Sequence, residues 1–177
     1  NENILTEYFL DHITDPKTRA FILNYYLDSF KGTLFRQTQF AVFEQFLHEA
    51  DAKGEPLTAD TLDDVYGQIN QHYYGDSVEP GGDIALEWSR IPHFYYNFYV
   101  YQYATGFAAA TALANKVVHG TPAERDAYLG FLKAGSSDYP TEIMKRAGVD
   151  MTKPDYLEDA FKTFEKRLNE FESLIEK

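Results

Sequence analysis

The chain has 177 residues, 44% of them hydrophobic, with 16 Lys and Arg against 28 Asp and Glu, a formal net charge of -12, and no cysteine. Length and apolar content suffice for a folded core, while the acidic balance sets the chain against nucleic acid and anionic membrane surfaces as partners. Without cysteine there is no disulfide, thiol nucleophile or Cys-based metal site, so a reducing cytoplasm is the expected location. The opening residues NENILTEYFLDH lack the basic and apolar regions of a signal peptide and do not start with Met, which reads as a mature product or a fragment.

Periodicity is helical almost throughout, and no alternation argues for a strand. Ile4, Leu5, Phe9 and Leu10 mark a first helix. Asp15 caps a second, with Pro16 at its first position, running to Ala50 with a bend expected near Gly32. Thr58 opens a third that Gly75 stops, and GDSVEPGGDIALEW reads as loop. The aromatic stretch from Ile91 onward reads as the start of a helix that ends before Gly120 and carries small residues suited to close packing. Thr121, Pro122 and Glu124 spell a capping box with Pro at N1. A short helix over PTEIMKRAG stops at Gly148, and the last carries Leu157, Phe161, Phe164, Leu168, Phe171 and Leu174 three and four apart. With no repeat, linker or low-complexity segment, residues 1–177 read as a single all-α helical domain with no sheet.

No Asp, Glu, Lys or Arg occurs between Arg90 and Lys116, a span long enough to cross a bilayer. Five tyrosines, Asn97, Gln102, Thr105, Thr111 and Asn115 load it with polar groups, so a buried helix and no membrane crossing is expected. From Phe94 to Phe107 it holds eight aromatic residues, with His93 just before them. On a helix Tyr96, Tyr99 and Tyr103 share a face, and Tyr101 lies roughly opposite Tyr99. Such a stripe is ordinarily core, but a neutral phenol and an imidazole are also donors able to stabilise a developing oxyanion.

Other chemistry is weakly signalled. The nearest approach to H-E-x-x-H is His48-Glu49, but Ala52 stands where the second histidine belongs, so His48 reads as a solvated residue near a helix end. His12, His72, His93 and His119 show no mutual helical spacing, and no metal ligand is assigned in this chain. Carboxylate pairs such as Asp63-Asp64 are too abundant to single out a dyad, and GGDIA lacks the spacing and Lys of a phosphate loop.

WSRIPHFYYNFYVYQYATGFAAA, together with FLKAGSSDYP and MKRAGVDM, closely resembles the C-terminal region of oligoendopeptidase F, in the zinc metallopeptidase family that also holds thimet oligopeptidase. The resemblance covers the whole chain and implies a multi-helix C-terminal portion of a zincin-type oligopeptidase. In that family the zinc-binding H-E-x-x-H and a glutamate ligand on a following helix lie upstream of a segment like NENILTEYFL. The implied zinc therefore belongs to the full-length enzyme, with its ligands and general base outside this chain. What carries over is the substrate-side wall. Tyr101 and Phe107 fall in register with the thimet-type pattern, His93 matches its loop histidine with a length difference, Tyr95 and Tyr96 both match a second phenol, and Phe98 stands where that pattern has a further tyrosine.

The expectation is thus one portion of an enzyme that hydrolyses short oligopeptides. His93 and Tyr101 would stabilise the transition state and Tyr95 and Tyr96 would bind substrate, in a chain inactive by itself. The alternative is a non-catalytic helical peptide-binding or interaction module, separated from the first by whether an H-E-x-x-H precedes Asn1 in the gene. If half of a catalytic cleft is missing, the face from His93 to Tyr103 is expected to be exposed or covered by a second copy.

Overall fold

A computed structural model describes residues 1–76, 78–79 and 81–176, so Ser77 and Pro80 of the expected loop and the terminal Lys177 lie outside the described residues. Among the described residues every regular element is helical. They are α1 (Glu2–His12), α2 (Pro16–Ser29), a π-helical turn (Phe30–Phe35), α3 (Arg36–Lys53), α4 (Ala59–Tyr74), two 3-10 helices (Ile84–Arg90 and Pro92–Tyr95), α5 (Tyr101–His119), α6 (Pro122–Ala134), α7 (Pro140–Arg146) and α8 (Asp155–Ile175). The chain divides into two compact units, Asn1–Phe30 with Thr105–Lys177, and Lys31–Ala104.

The caps fall where the sequence puts them. Asp15 accepts the Thr18 N–H at 2.8 Å and Thr58 accepts that of Thr61 at 3.3 Å. Thr121 and Glu124 exchange both bonds of the capping box, which satisfies N–H groups that a helix start leaves unpaired. The irregularity expected near Gly32 is the π turn, an i→i+5 widening. Side chains support it: Gln37 Nε2 donates to the Gly32 carbonyl at 3.3 Å and Thr38 Oγ1 to that of Leu34 at 2.7 Å.

In the first unit α2 packs on α1 and α8. Ala108, Ala109, Ala112 and Ala114 of α5 are buried, the close packing their small side chains permit. Polar pairs tie the helices: Asn3 Nδ2 donates to Thr111 Oγ1 at 3.1 Å, and Asn115 Nδ2 to Thr163 Oγ1 at 2.9 Å. α8 buries Tyr156, Ala160, Thr163 and Arg167 most fully, with Leu157, Phe164, Leu168, Phe171 and Leu174 of the expected apolar series half-buried beside them and Phe161 exposed. A buried ion pair lies on this face. Arg167, 3% exposed, donates from Nε and Nη2 to both oxygens of Glu7, 1% exposed, and from Nη1 to Glu170 at 2.8 Å. A buried guanidinium and carboxylate must face each other, because either alone would lose its hydration uncompensated.

In the second unit Phe40 and Phe43 of α3 and Leu62 and Tyr66 of α4 form a core with Ile91 and Val100. Two expectations fail here. IALEW is not loop but part of a 3-10 helix closed by i→i+3 bonds such as Leu86 N–H to the Asp83 carbonyl at 3.0 Å. The aromatic stretch also does not begin α5. Pro92–Tyr95 is a separate turn, Asn97 (φ 50) and Phe98 (φ 61) reverse the backbone, and α5 starts only at Tyr101. The core supplies the reason: on one straight helix Ile91 and Val100, nine residues apart, would point roughly 180° from each other. Both are buried in the same cluster, which the reversal between them permits.

Candidate active site

The segment from Ile91 to Tyr103 is sorted by its anchors. Ile91 and Val100 are buried, and Phe94 packs edge-on against Phe40 and Phe43 with ring centroids 5.9 and 5.3 Å apart. With these apolar side chains turned inward, the imidazole and phenols between them are turned out. The preceding 3-10 helix is fixed by buried Glu87, which accepts from Tyr66 Oη at 2.7 Å and from Arg36 and Arg90. Burial opposes the charge on Glu87, but the Tyr66 hydroxyl and Arg36 outweigh it and hold the carboxyl below its ordinary range. Burial and this same carboxylate push the Tyr66 phenol up.

On the outer face His93 meets three tyrosines. Its ring stacks with Tyr99 at 5.8 Å between centroids and meets Tyr96 and Tyr103 edge-on at 6.2 and 5.8 Å. Tyr99 contacts both Tyr96, at 6.1 Å, and Tyr103, at 5.6 Å. Tyr103 Oη lies 3.4 Å from His93 Nε2, so the phenol donates when that nitrogen is unprotonated. The hydrogen bond with Tyr99 raises the Tyr103 phenol further above its ordinary value. It therefore stays a neutral donor across the physiological range.

Of the residues given roles from the sequence, the structure thus brings together His93 and Tyr96, and joins to them Tyr99 and Tyr103 of the same tyrosine stripe. Tyr95 is 83% exposed, in the same short turn as His93. Tyr101, the first residue of α5, is also exposed, and two positions along a helix place it roughly 200° round from Tyr103. His48 is not a solvated helix end: it is half-buried and stacks on Phe98 with centroids 4.0 Å apart.

One contributor went unnoticed in the sequence. Glu44 of α3 is 1% exposed, and its Oε1 accepts the backbone N–H of Phe98 at 2.8 Å. The left-handed conformation of a bulky residue such as Phe98 costs on the order of 1–3 kcal/mol and persists only where the surroundings hold it. The available signal was an acid in the apolar run FAVFEQFL, four residues after Phe40, on the stripe α3 buries.

Comparison with known proteins places this arrangement in context. The model of Peptidase family M3 matches residues 1–163. The chain is 59% identical over 177 residues to the chromosomal oligoendopeptidase F of Lactococcus lactis subsp. cremoris, covering 100% of itself and 29% of that protein. It is 53% identical over 178 residues to oligopeptidase PepF of Bacillus subtilis (strain 168), covering 26% of it. The crystal structure of oligoendopeptidase-F from Enterococcus faecium superposes with a TM-score of 0.95 at 60% identity, over 99% of this chain and 34% of that one. The chain spans about 30% of the length of the curated relatives it matches most fully. With 163 of its residues under one family model and an all-helical fold shared with a solved relative, the chain belongs to peptidase family M3.

Proposed function

We propose that these residues form the substrate-side wall of a metallopeptidase active site within a longer cytoplasmic protein that hydrolyses oligopeptides. The observation that carries this reading is the exposed ring cluster in which His93, Tyr96, Tyr99 and Tyr103 meet with no charged side chain among them. Imidazole N–H and phenol O–H groups fixed on one surface can donate to a peptide carbonyl and strengthen as its oxygen gains charge. His93 is assigned to transition-state stabilisation, with Tyr103 joining it through its bond to His93; the same role for Tyr101, roughly 200° round α5 from Tyr103, rests on the resemblance and not on this cluster. Tyr95 and Tyr96, exposed beside His93, are assigned to binding the peptide.

Zinc, which the resemblance implies, does not fit the residues present. Among the described residues no group of three or more His, Cys, Asp or Glu could hold a metal ion. On the resemblance, the metal site is assigned to the part of the longer protein outside these residues, and the 177-residue chain alone is expected to be inactive.

The test uses a quenched oligopeptide. The purified chain with added zinc should give no turnover, and a longer peptidase carrying these residues should lose turnover on His93→Ala. Robust hydrolysis by the chain alone, or full activity of H93A, would sink the reading. The exposed aromatic face should also pair with a second copy in the isolated chain, which light scattering reads directly.

A further inference from the structure

We propose that Glu44 is a positioning residue for this site. By accepting the Phe98 N–H it holds the Asn97–Phe98 reversal that sets Tyr96 and Tyr99 against His93. The kinetic consequence rests on the functional reading above; the geometric claim stands by itself.

A carboxylate within an apolar core is retained only where hydrogen bonds compensate its lost hydration. Here the recorded donor is the backbone of the site segment. Asn97 tolerates a positive φ, but Phe98 does not do so readily and, released, would relax toward extended backbone. The rings of Tyr96 and Tyr99 meet 6.1 Å apart across this reversal, so a change at Phe98 moves one against the other and both against His93. One turn along α3 from Glu44, His48 stacks on the Phe98 ring, so a single face of α3 holds both backbone and side chain of the strained residue. Glu44 touches no group assigned to the substrate and acts through the turn.

Nuclear magnetic resonance on the 177-residue chain tests the geometry. Glu44→Ala should speed exchange of the Phe98 amide by roughly 10- to 100-fold, the worth of a hydrogen bond to a charged group, and abolish the ring contacts between His93 and Tyr99. Glu44→Gln keeps an acceptor oxygen and should preserve both. Adding Phe98→Gly to Glu44→Ala should restore the His93–Tyr99 contacts, because glycine adopts positive φ freely. Retention of those contacts and of Phe98 protection in E44A overturns the proposal. If E44A loses its helical circular dichroism, F98G alone decides: it should keep the His93–Tyr99 contacts without the ring, and their loss overturns the proposal.

In the longer peptidase, E44A should lower kcat about tenfold or more with KM within about threefold, and E44Q should restore it. A change in KM alone counts against positioning. Full activity of H93A in the same background removes the functional reading, while the resonance result still decides the role of Glu44.

Discussion

Removing the Arg167 guanidinium should be among the most damaging single changes in the first unit, and the size of the loss follows from its surroundings. Arg167 and Glu7 are 3% and 1% exposed, and the guanidinium serves both oxygens of the carboxylate. Arg167→Met keeps the aliphatic packing but leaves Glu7 buried with only the His119 ring, its Nε2 3.6 Å away on a half-exposed side chain, in place of the guanidinium. Glu170 keeps Arg19, so the damage centres on Glu7. Breaking a buried pair from one side costs roughly 3–5 kcal/mol, about 6–20 °C in Tm for a chain of this size. The double variant Glu7→Leu, Arg167→Leu removes both charges and should be more stable than Arg167→Met, since an apolar pair avoids the unpaired charge. Thermal unfolding followed by circular dichroism measures all three chains. An Arg167→Met loss under about 1 kcal/mol, the range of exposed pairs, would refute the reasoning, as would a double variant less stable than Arg167→Met.

Three further outcomes are expected. In a longer peptidase carrying these residues, His93→Ala should lower kcat about 100- to 1000-fold, as loss of an oxyanion donor does, and Tyr103→Phe should lower it less; steady-state kinetics checks both, and an unchanged kcat for H93A contradicts the assignment. Because the folded Glu87 carboxyl titrates below its ordinary value of 4.5, its stabilisation is complete above that pH and lost as pH falls through the folded value. The Tm gap between the parent chain and Glu87→Gln should therefore be full above pH 4.5 and close as the pH falls below that value. Thr121→Ala, which removes the N-cap acceptor of α6, should cost about 1 kcal/mol in denaturant unfolding.

Much of the site was legible in the residues, partly for the wrong reason. Helical spacing grouped Tyr96, Tyr99 and Tyr103, and these rings do meet beside His93, but through a backbone reversal and not along one helix face. The reversal was hidden because it depends on where Ile91 and Val100 find their core, a contact with Phe40, Phe43, Leu62 and Tyr66 on other helices. Glu44 escaped for a related reason, since its partner is a backbone N–H 54 residues away.

By itself the sequence determined the helical class, the caps at Asp15, Thr58 and Thr121, and the motifs that place the chain in its family. These rest on interactions within a few residues, such as a hydroxyl reaching an N–H three positions on. Only the tertiary structure decided that a buried ion pair lies on the packed face of α8, where α5 begins, and which phenols stand against the imidazole. Each of those is settled by groups far apart in the chain: an ion pair across 160 residues, two apolar anchors sharing one core, and a carboxylate holding a left-handed turn.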